Sequence, residues 1–295
     1  MAKPKLIAIV GATGSGKSDL AVLLAKKYNG EIVSADSRQV YRHMDIGTGK
    51  ISAEEMAGIP HHLLDIADPT IQYSVAQYQN DAERAIADIH ARGKLPILVG
   101  GTGLYIQAVV DGIILPEVKP NPVLRAELEI LSPAELFERL KKLDARRAAT
   151  IDANNPRRLI RAIEIAAALG SVPPATANDQ YDTLLIGIRV EKEELEQRIA
   201  KRFDGMLKKG LVEEIKNLNE VHGVHWERVR SFGLECAWVA DFLAETISEQ
   251  EMRDGAIRDT IAYAKRQMTW FKRDSRIHWI EKPEEAETLA QAFLS

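Results

Sequence analysis

The sequence predicts an α/β fold: a core built on a parallel sheet flanked by helices, plus an all-helical insertion domain. Three observations carry this. Near-continuous apolar runs such as LIAIV, EIVSA and PILVGG alternate with stretches of helical periodicity, the pattern of strands buried on both faces. Residues 113–180 interrupt that alternation and are helical only. Beyond them YDTLLIGIRV restores the strand pattern. The chain is therefore expected to divide into a core of residues 1–112 and 181–295 and an insertion of residues 113–180.

Element by element, residues 5–10 (KLIAIV) form the first strand, and KSDLAVLLAKKY (17–28) carries apolar residues at helical spacing. EIVSA (31–35) is the second strand and HHLLDI (61–66) the third. Ser74 caps a helix that Gly93 stops. LPILVGG (95–101) is a further strand, and GLYIQAVVDG the helix after it. In the insertion, Ser132-Pro133-Ala134-Glu135 has a serine cap, proline in the first turn and glutamate three residues on, the signature of a helix start. GSVPPATANDQ (170–180) closes the block as a loop. After the strand at 181–190 the chain is mostly amphipathic helix, with a short strand near RIHWI.

Of 295 residues 45% are apolar, ordinary for a globular protein, and the formal net charge of −4 means that any nucleic-acid partner must be met by local basic patches. One cysteine, Cys236, excludes a disulfide framework and a cysteine zinc site. MAKPKLIAIVG enters strand pattern at once and no apolar run approaches a membrane span, which predicts a soluble, cytoplasmic protein without a leader. Nothing demands more than a monomer. His61 and His62 stand side by side, but neighbours on a strand point to opposite faces, so a structural role is expected rather than a metal pair.

Gly11-Ala12-Thr13-Gly14-Ser15-Gly16-Lys17-Ser18 matches the phosphate-binding loop (P-loop) G-x-x-x-x-G-K-[ST] and lies between a predicted strand and helix. Its glycines let backbone N–H groups turn toward phosphate oxygens. The helix N-terminus and Lys17 add positive potential, and Ser18 can ligate Mg²⁺. Nucleotide hydrolases place a metal-holding aspartate at the end of another core strand; here PILVGGTG ends in Gly100-Gly101-Thr102-Gly103, so a diphosphate bound without nucleotide hydrolysis is expected. Asp36 falls at the carboxyl end of the second strand, where open α/β sheets bind ligands. It is expected beside the strand that feeds the phosphate loop. There it can accept a proton from a nucleophile approaching the phosphate-bearing substrate; the alternative is an aspartate that merely caps the turn with Ser37.

GATGSGKS, ADSRQVYRHMDIGTGK, PHHLLDIADP and PILVGGTGLYI succeed one another in the order seen in bacterial tRNA dimethylallyltransferases. RIAKRFDGMLKKGLVEEI and AYAKRQMTWFKR extend the resemblance almost to the last residue. The resemblance implies transfer of a dimethylallyl group from dimethylallyl diphosphate to N6 of the adenosine 3′ of the anticodon, position 37, with Gly11–Ser18 holding the diphosphate. It implies Asp36 as base, Ser37, Arg38 and Gln39 as RNA contacts, and Thr102 and Arg202 beside the diphosphate, with Mg²⁺ as cofactor.

From Arg139 to Arg161 eight basic residues face only Asp144 and Asp152, a candidate phosphate-tracking surface or, alternatively, a solvated helix face. The resemblance favours the first, because Arg157, Arg158, Leu159, Ile160 and Arg161 match a tRNA-contacting segment. A second patch, YAKRQMTWFKR, interleaves basic residues and aromatics, and the expected contacts with the tRNA anticodon stem-loop are Lys265, Arg266, Gln267, Trp270 and Lys272. Two residues depart from the family pattern: Leu234 replaces a common tyrosine, and Gly49 replaces alanine, a change expected to be neutral. Competing readings are prenyl transfer to free AMP, ADP or ATP, a nucleoside-type kinase, and a non-catalytic phosphate binder. The basic insertion argues against the first of these, and the kinase leaves DSRQVY and KRQMTWF unexplained.

Overall fold

The structure, a computed structural model, describes residues 3–114, 116, 118–174 and 176–295. In chain order the elements are β1 (Lys5–Gly11), α1 (Lys17–Lys27), β2 (Gly30–Ser34), α2 (Ala53–Met56), β3 (His61–His62), α3 (Val75–Ala91), β4 (Leu95–Gly100) and α4 (Gly103–Val110). Then follow α5 (Pro122–Glu129), α6 (Pro133–Leu143), α7 (Ala145–Ala148) and α8 (Pro156–Leu169). The chain ends with β5 (Asp182–Ile188), α9 (Lys192–Lys208), α10 (Leu211–Glu220), α11 (Trp226–Ser231), α12 (Leu234–Leu243), α13 (Glu249–Phe271), β6 (His278–Ile280) and α14 (Pro283–Leu294). Two compact units result: one runs to Gly112 and resumes from Asp179 to Ser295, and the other is Ile113–Asn178.

The larger unit holds a six-stranded parallel sheet in the order β3-β2-β4-β1-β5-β6. Strand β1 reads as an unbroken apolar run because both its faces are covered. Leu6, Ala8 and Val10 pack with Tyr78 of α3, Val109 of α4 and Phe271 of α13, while Ile7 and Ile9 meet Leu20 and Leu24 of α1 and Ala286 and Ala290 of α14. The α/β core of parallel strands and flanking helices is thus as the sequence predicts.

Two expectations need correction. Strand β4 lies between β1 and β2, so Asp36 is not beside the strand that feeds the phosphate loop. The squeeze shows at Gly100, where an added Cβ would lie 2.0 Å from Ala35 O, and Ala35 N–H donates to Val99 O at 2.7 Å. The third strand is only His61–His62, because Leu63 (φ 65°) and Asp65 (φ 57°) turn into the left-handed region and end the pairing. His62 Nε2 meets the buried Glu31 carboxylate at 2.7 Å, which Arg92 and Lys94 also hold.

The smaller unit packs Leu128, Leu136, Leu140, Leu159 and Ile163 into a core of its own. Ser132 and Glu135 form the reciprocal cap that their spacing predicts. Among the described residues no helix is long and apolar enough to cross a membrane.

Candidate active site

Where β1 ends, Gly14 (φ 79°) and Gly16 (φ 90°) take left-handed conformations that L side chains rarely adopt, and the loop curls into the start of α1. Gly16 caps α1 without a side-chain hydrogen bond, so the first N–H groups of the helix are left for a ligand. Lys17 Nζ donates to Ala12 O at 2.6 Å. Burial pushes this ammonium down to about 8, with nearby Asp36 pulling it up and Arg202 pushing it further down.

Gln267 of α13 ties this loop to β4. Its Oε1 accepts Thr13 N–H at 2.8 Å, and its Nε2 donates to Gly101 O at 2.9 Å. Gly101 is required for the contact, since a Cβ there would lie 2.1 Å from Gln267 Nε2. On the other side of the loop Arg202 of α9 donates to Thr13 Oγ1 at 3.1 Å and to Thr48 O at 3.1 Å.

At the end of β2, Asp36 Oδ1 accepts the N–H groups of Arg38 (2.9 Å) and Gln39 (3.4 Å). The turn therefore is capped by Asp36, as the alternative reading held, yet it engages Oδ1 alone, and Asp36 lines the same cavity as Lys17. Thr102, at the start of α4, accepts Ser37 N–H at 3.0 Å and donates to Ser37 Oγ at 3.2 Å, locking the end of β4 to this turn. Gln39 Nε2 donates to Thr48 O (3.4 Å) and Gly49 O (3.3 Å). The cavity enclosed by these elements has a volume of about 900 Å³.

Of the residues singled out in the sequence, Thr13, Gly14, Gly16, Lys17, Ser18, Asp36, Arg38, Gln39, Arg202 and Gln267 line this one cavity. Lys265 and Arg266 on α13 and Lys272 just past its end are exposed, as are Arg157 and Arg158 on α8. Arg161 is spent partly on Val118 O at 2.9 Å. Other placements correct the expectation of RNA contact. Leu159 (0% exposed) and Ile160 (8%) belong to the core of the smaller unit, because they fall on the apolar face of an amphipathic helix. Gln267 is 5% exposed and serves as the internal strut just described. Trp270 is only partly buried: it packs on Gly103, where a Cβ would lie 2.3 Å from its ring, and this contact does not withdraw it from RNA.

Arg38 also differs from the expectation. Its side chain is 14% exposed and forms an ion pair at 2.7 Å with Glu235 of α12, itself 8% exposed, and Nη2 reaches Cys236 Sγ at 3.3 Å. Burial pushes the Cys236 thiol up to about 11, so it acts as a neutral packing group. Gly49 is not neutral: its φ is 56°, and an added Cβ would lie 1.8 Å from Arg202 Nη2. Alanine there would displace the guanidinium. Leu234, also with a positive φ (46°), lines the cavity. Sequence reasoning missed Glu235, whose partner lies 197 positions away and leaves no local pattern.

Residues 39–274 match the family model described as IPP transferase. The tRNA dimethylallyltransferase of Streptomyces avermitilis is 44% identical over 284 residues, covering 94% of this chain and 90% of that protein. That of Halalkalibacterium halodurans is 42% identical over 289 residues, covering 95% and 91%. Among solved structures, the full-length tRNA isopentenylpyrophosphate transferase of Bacillus halodurans superposes with a TM-score of 0.75 at 40% identity, covering 99% of this chain and 97% of that one. A eukaryotic dimethylallyltransferase acting on tRNA gives 0.80 at 31% identity, covering 94% and 74%. On fold, sequence and extent alike, this chain belongs to the IPP transferase family.

Proposed function

We propose that this chain transfers a dimethylallyl group from dimethylallyl diphosphate to N6 of adenosine 37, 3′ of the anticodon, in tRNA, releasing diphosphate. The observation that carries the reading is the shared cavity: phosphate-loop residues Thr13, Gly14, Gly16, Lys17 and Ser18 line it together with Arg202 and Asp36. The named activity of the relatives supports it.

The chemistry follows from the charges. The allylic C–O bond breaks, its electron pair leaves with diphosphate, and positive charge develops on the allyl carbon. Lys17, Arg202 and the N-terminus of α1 stabilise the departing negative charge where it forms. The lone pair of N6 closes the C–N bond, and Asp36 takes the N6 proton. Arg38 and Gln39 N–H groups hold the Asp36 turn, and Thr102 joins that turn to β4. Since β4 ends in glycines and threonine, no carboxylate there serves nucleotide hydrolysis.

The residues present fit Mg²⁺. This ion keeps several waters and takes one or two protein oxygens beside substrate phosphates. The Ser18 hydroxyl and the Asp36 carboxylate both line the cavity, and no cluster of three or more His, Cys, Asp or Glu among the described residues forms a cage of its own. Bound through Ser18 and the diphosphate, the ion would neutralise leaving-group charge.

Exposed Arg157 and Arg158 on the smaller unit, Lys265 and Arg266 on α13, and Lys272 just past its end are proposed as contacts for the anticodon stem-loop. A cytoplasmic monomer is part of the same proposal. The test is purified protein with Mg²⁺ and radiolabelled dimethylallyl diphosphate, offered unmodified tRNA or AMP, with an ATP turnover control. Label in tRNA supports the reading. Label only in AMP, or ATP turnover without label transfer, overturns it.

A further inference from the structure

Glu214 lies on α10, outside the cavity, within the segment RIAKRFDGMLKKGLVEEI that carries the family resemblance, but the sequence assigns it no role. Its carboxylate nevertheless accepts three successive backbone N–H groups: Asp45 and Ile46 on Oε2 at 2.8 and 2.7 Å, and Gly47 on Oε1 at 2.7 Å. Only an acceptor-only group satisfies three converging donors, and charge-assisted bonds of this kind are among the stronger ones. Burial pushes the Glu214 carboxyl up from its ordinary value, and the three N–H donors pull against that.

The clamped segment is the wall of the cavity. Within it Gly49 N–H returns to Ile46 O and Lys50 N–H to Asp45 O, both at 2.9 Å, so fixing the first three N–H groups sets the whole turn. Its next two carbonyls hold cavity side chains: Thr48 O accepts from Arg202 and Gln39, and Gly49 O accepts from Gln39. Gly49 also leaves the space that the Arg202 guanidinium fills.

We infer that Glu214 is a positioning residue for diphosphate binding: it anchors the turn of residues 45–50 whose Thr48 carbonyl aims Arg202 at the phosphate loop. This rests on the reading of Arg202 as a diphosphate ligand given above. Glutamate is required over glutamine because an amide would turn its NH₂ toward at least one of the three N–H donors and lose the bond.

The test is a double-mutant cycle on the affinity for inorganic diphosphate with Mg²⁺, by calorimetry, in wild type, Glu214→Gln, Arg202→Ala and the double variant. Each variant is first melted to verify folding at the assay temperature. Glu214→Gln is expected to weaken binding roughly tenfold and Arg202→Ala roughly thirtyfold, with the double variant within about twofold of Arg202→Ala alone. A merely structural glutamate would not depend on Arg202 in this way. Wild-type affinity in Glu214→Gln, or additive losses in the double variant, would overturn the inference while leaving the proposed function standing. A wild-type protein that binds no diphosphate would overturn both. If Glu214→Gln melts below the assay temperature, Glu214→Asp, which keeps the charge but shortens the reach, takes its place in the cycle, with the same outcomes supporting or overturning the inference.

Discussion

Replacing Gln267 with methionine separates two roles that its sequence context allows. Methionine matches the side chain in volume, so packing is nearly conserved and the loss is confined to two hydrogen bonds. Gly101 is buried, and its carbonyl would be stranded at about 2 kcal/mol; Thr13 is partly exposed, its N–H can reach water, and its loss is set at about 1 kcal/mol. The expected destabilisation is therefore about 3 kcal/mol in urea unfolding. Because Thr13 belongs to the phosphate loop, affinity for inorganic diphosphate should fall in the folded variant as well, by about tenfold. An RNA-contacting glutamine behaves in the opposite way: stability and diphosphate affinity stay put and tRNA affinity drops. Stability within about 0.5 kcal/mol of wild type, with only tRNA binding lost, would refute the strut.

Lys17 makes diphosphate binding dependent on pH. Burial holds the ammonium of the free protein near 8 and a bound anion raises that value, so the affinity of wild type relative to a variant whose charge at this position does not titrate should be constant below pH 8 and fall above it as the charge is lost. The guanidinium introduced by Lys17→Arg stays charged throughout this range, and calorimetry should find the inflection gone; an inflection that persists assigns it to another group. Replacing both Arg157 and Arg158 with alanine should weaken tRNA binding and reduce the slope of log affinity against log salt by about 2. An unchanged slope in a gel-shift series would remove both residues from the interface.

What could be read from the sequence was local or periodic. The phosphate loop is contiguous, so Gly14, Gly16 and Lys17 declare themselves by spacing alone, and Asp36 by its place at the end of an apolar run. Strand order has no such signal, because β1, β2 and β4 are all buried on both faces and read alike; the interposition of β4 depends on tertiary packing. Long-range polar pairs are equally silent. Thr13 and Gln267 are 254 positions apart, and Gly47 and Glu214 are 167 apart. A signal for Gln267 was nonetheless present: Ala264, Gln267 and Phe271 recur at spacings of three and four, which puts the amide on the buried face of α13. The same periodicity marks Leu159 and Ile160 with Ile163 as interior. Segments matched to a functional stretch as blocks need dividing by helical face before side chains are assigned to a ligand.

The most direct test of the central claim, that one cavity holds the diphosphate on the phosphate loop and activates the acceptor at Asp36, is single-turnover transfer of labelled dimethylallyl to tRNA by Asp36→Ala, with inorganic diphosphate affinity measured in parallel. Loss of general-base catalysis predicts a rate lower by about 10²–10⁴-fold, with diphosphate affinity within a few-fold of wild type. Transfer at the wild-type rate would show that Asp36 does not accept the proton and that its carboxylate only shapes the turn.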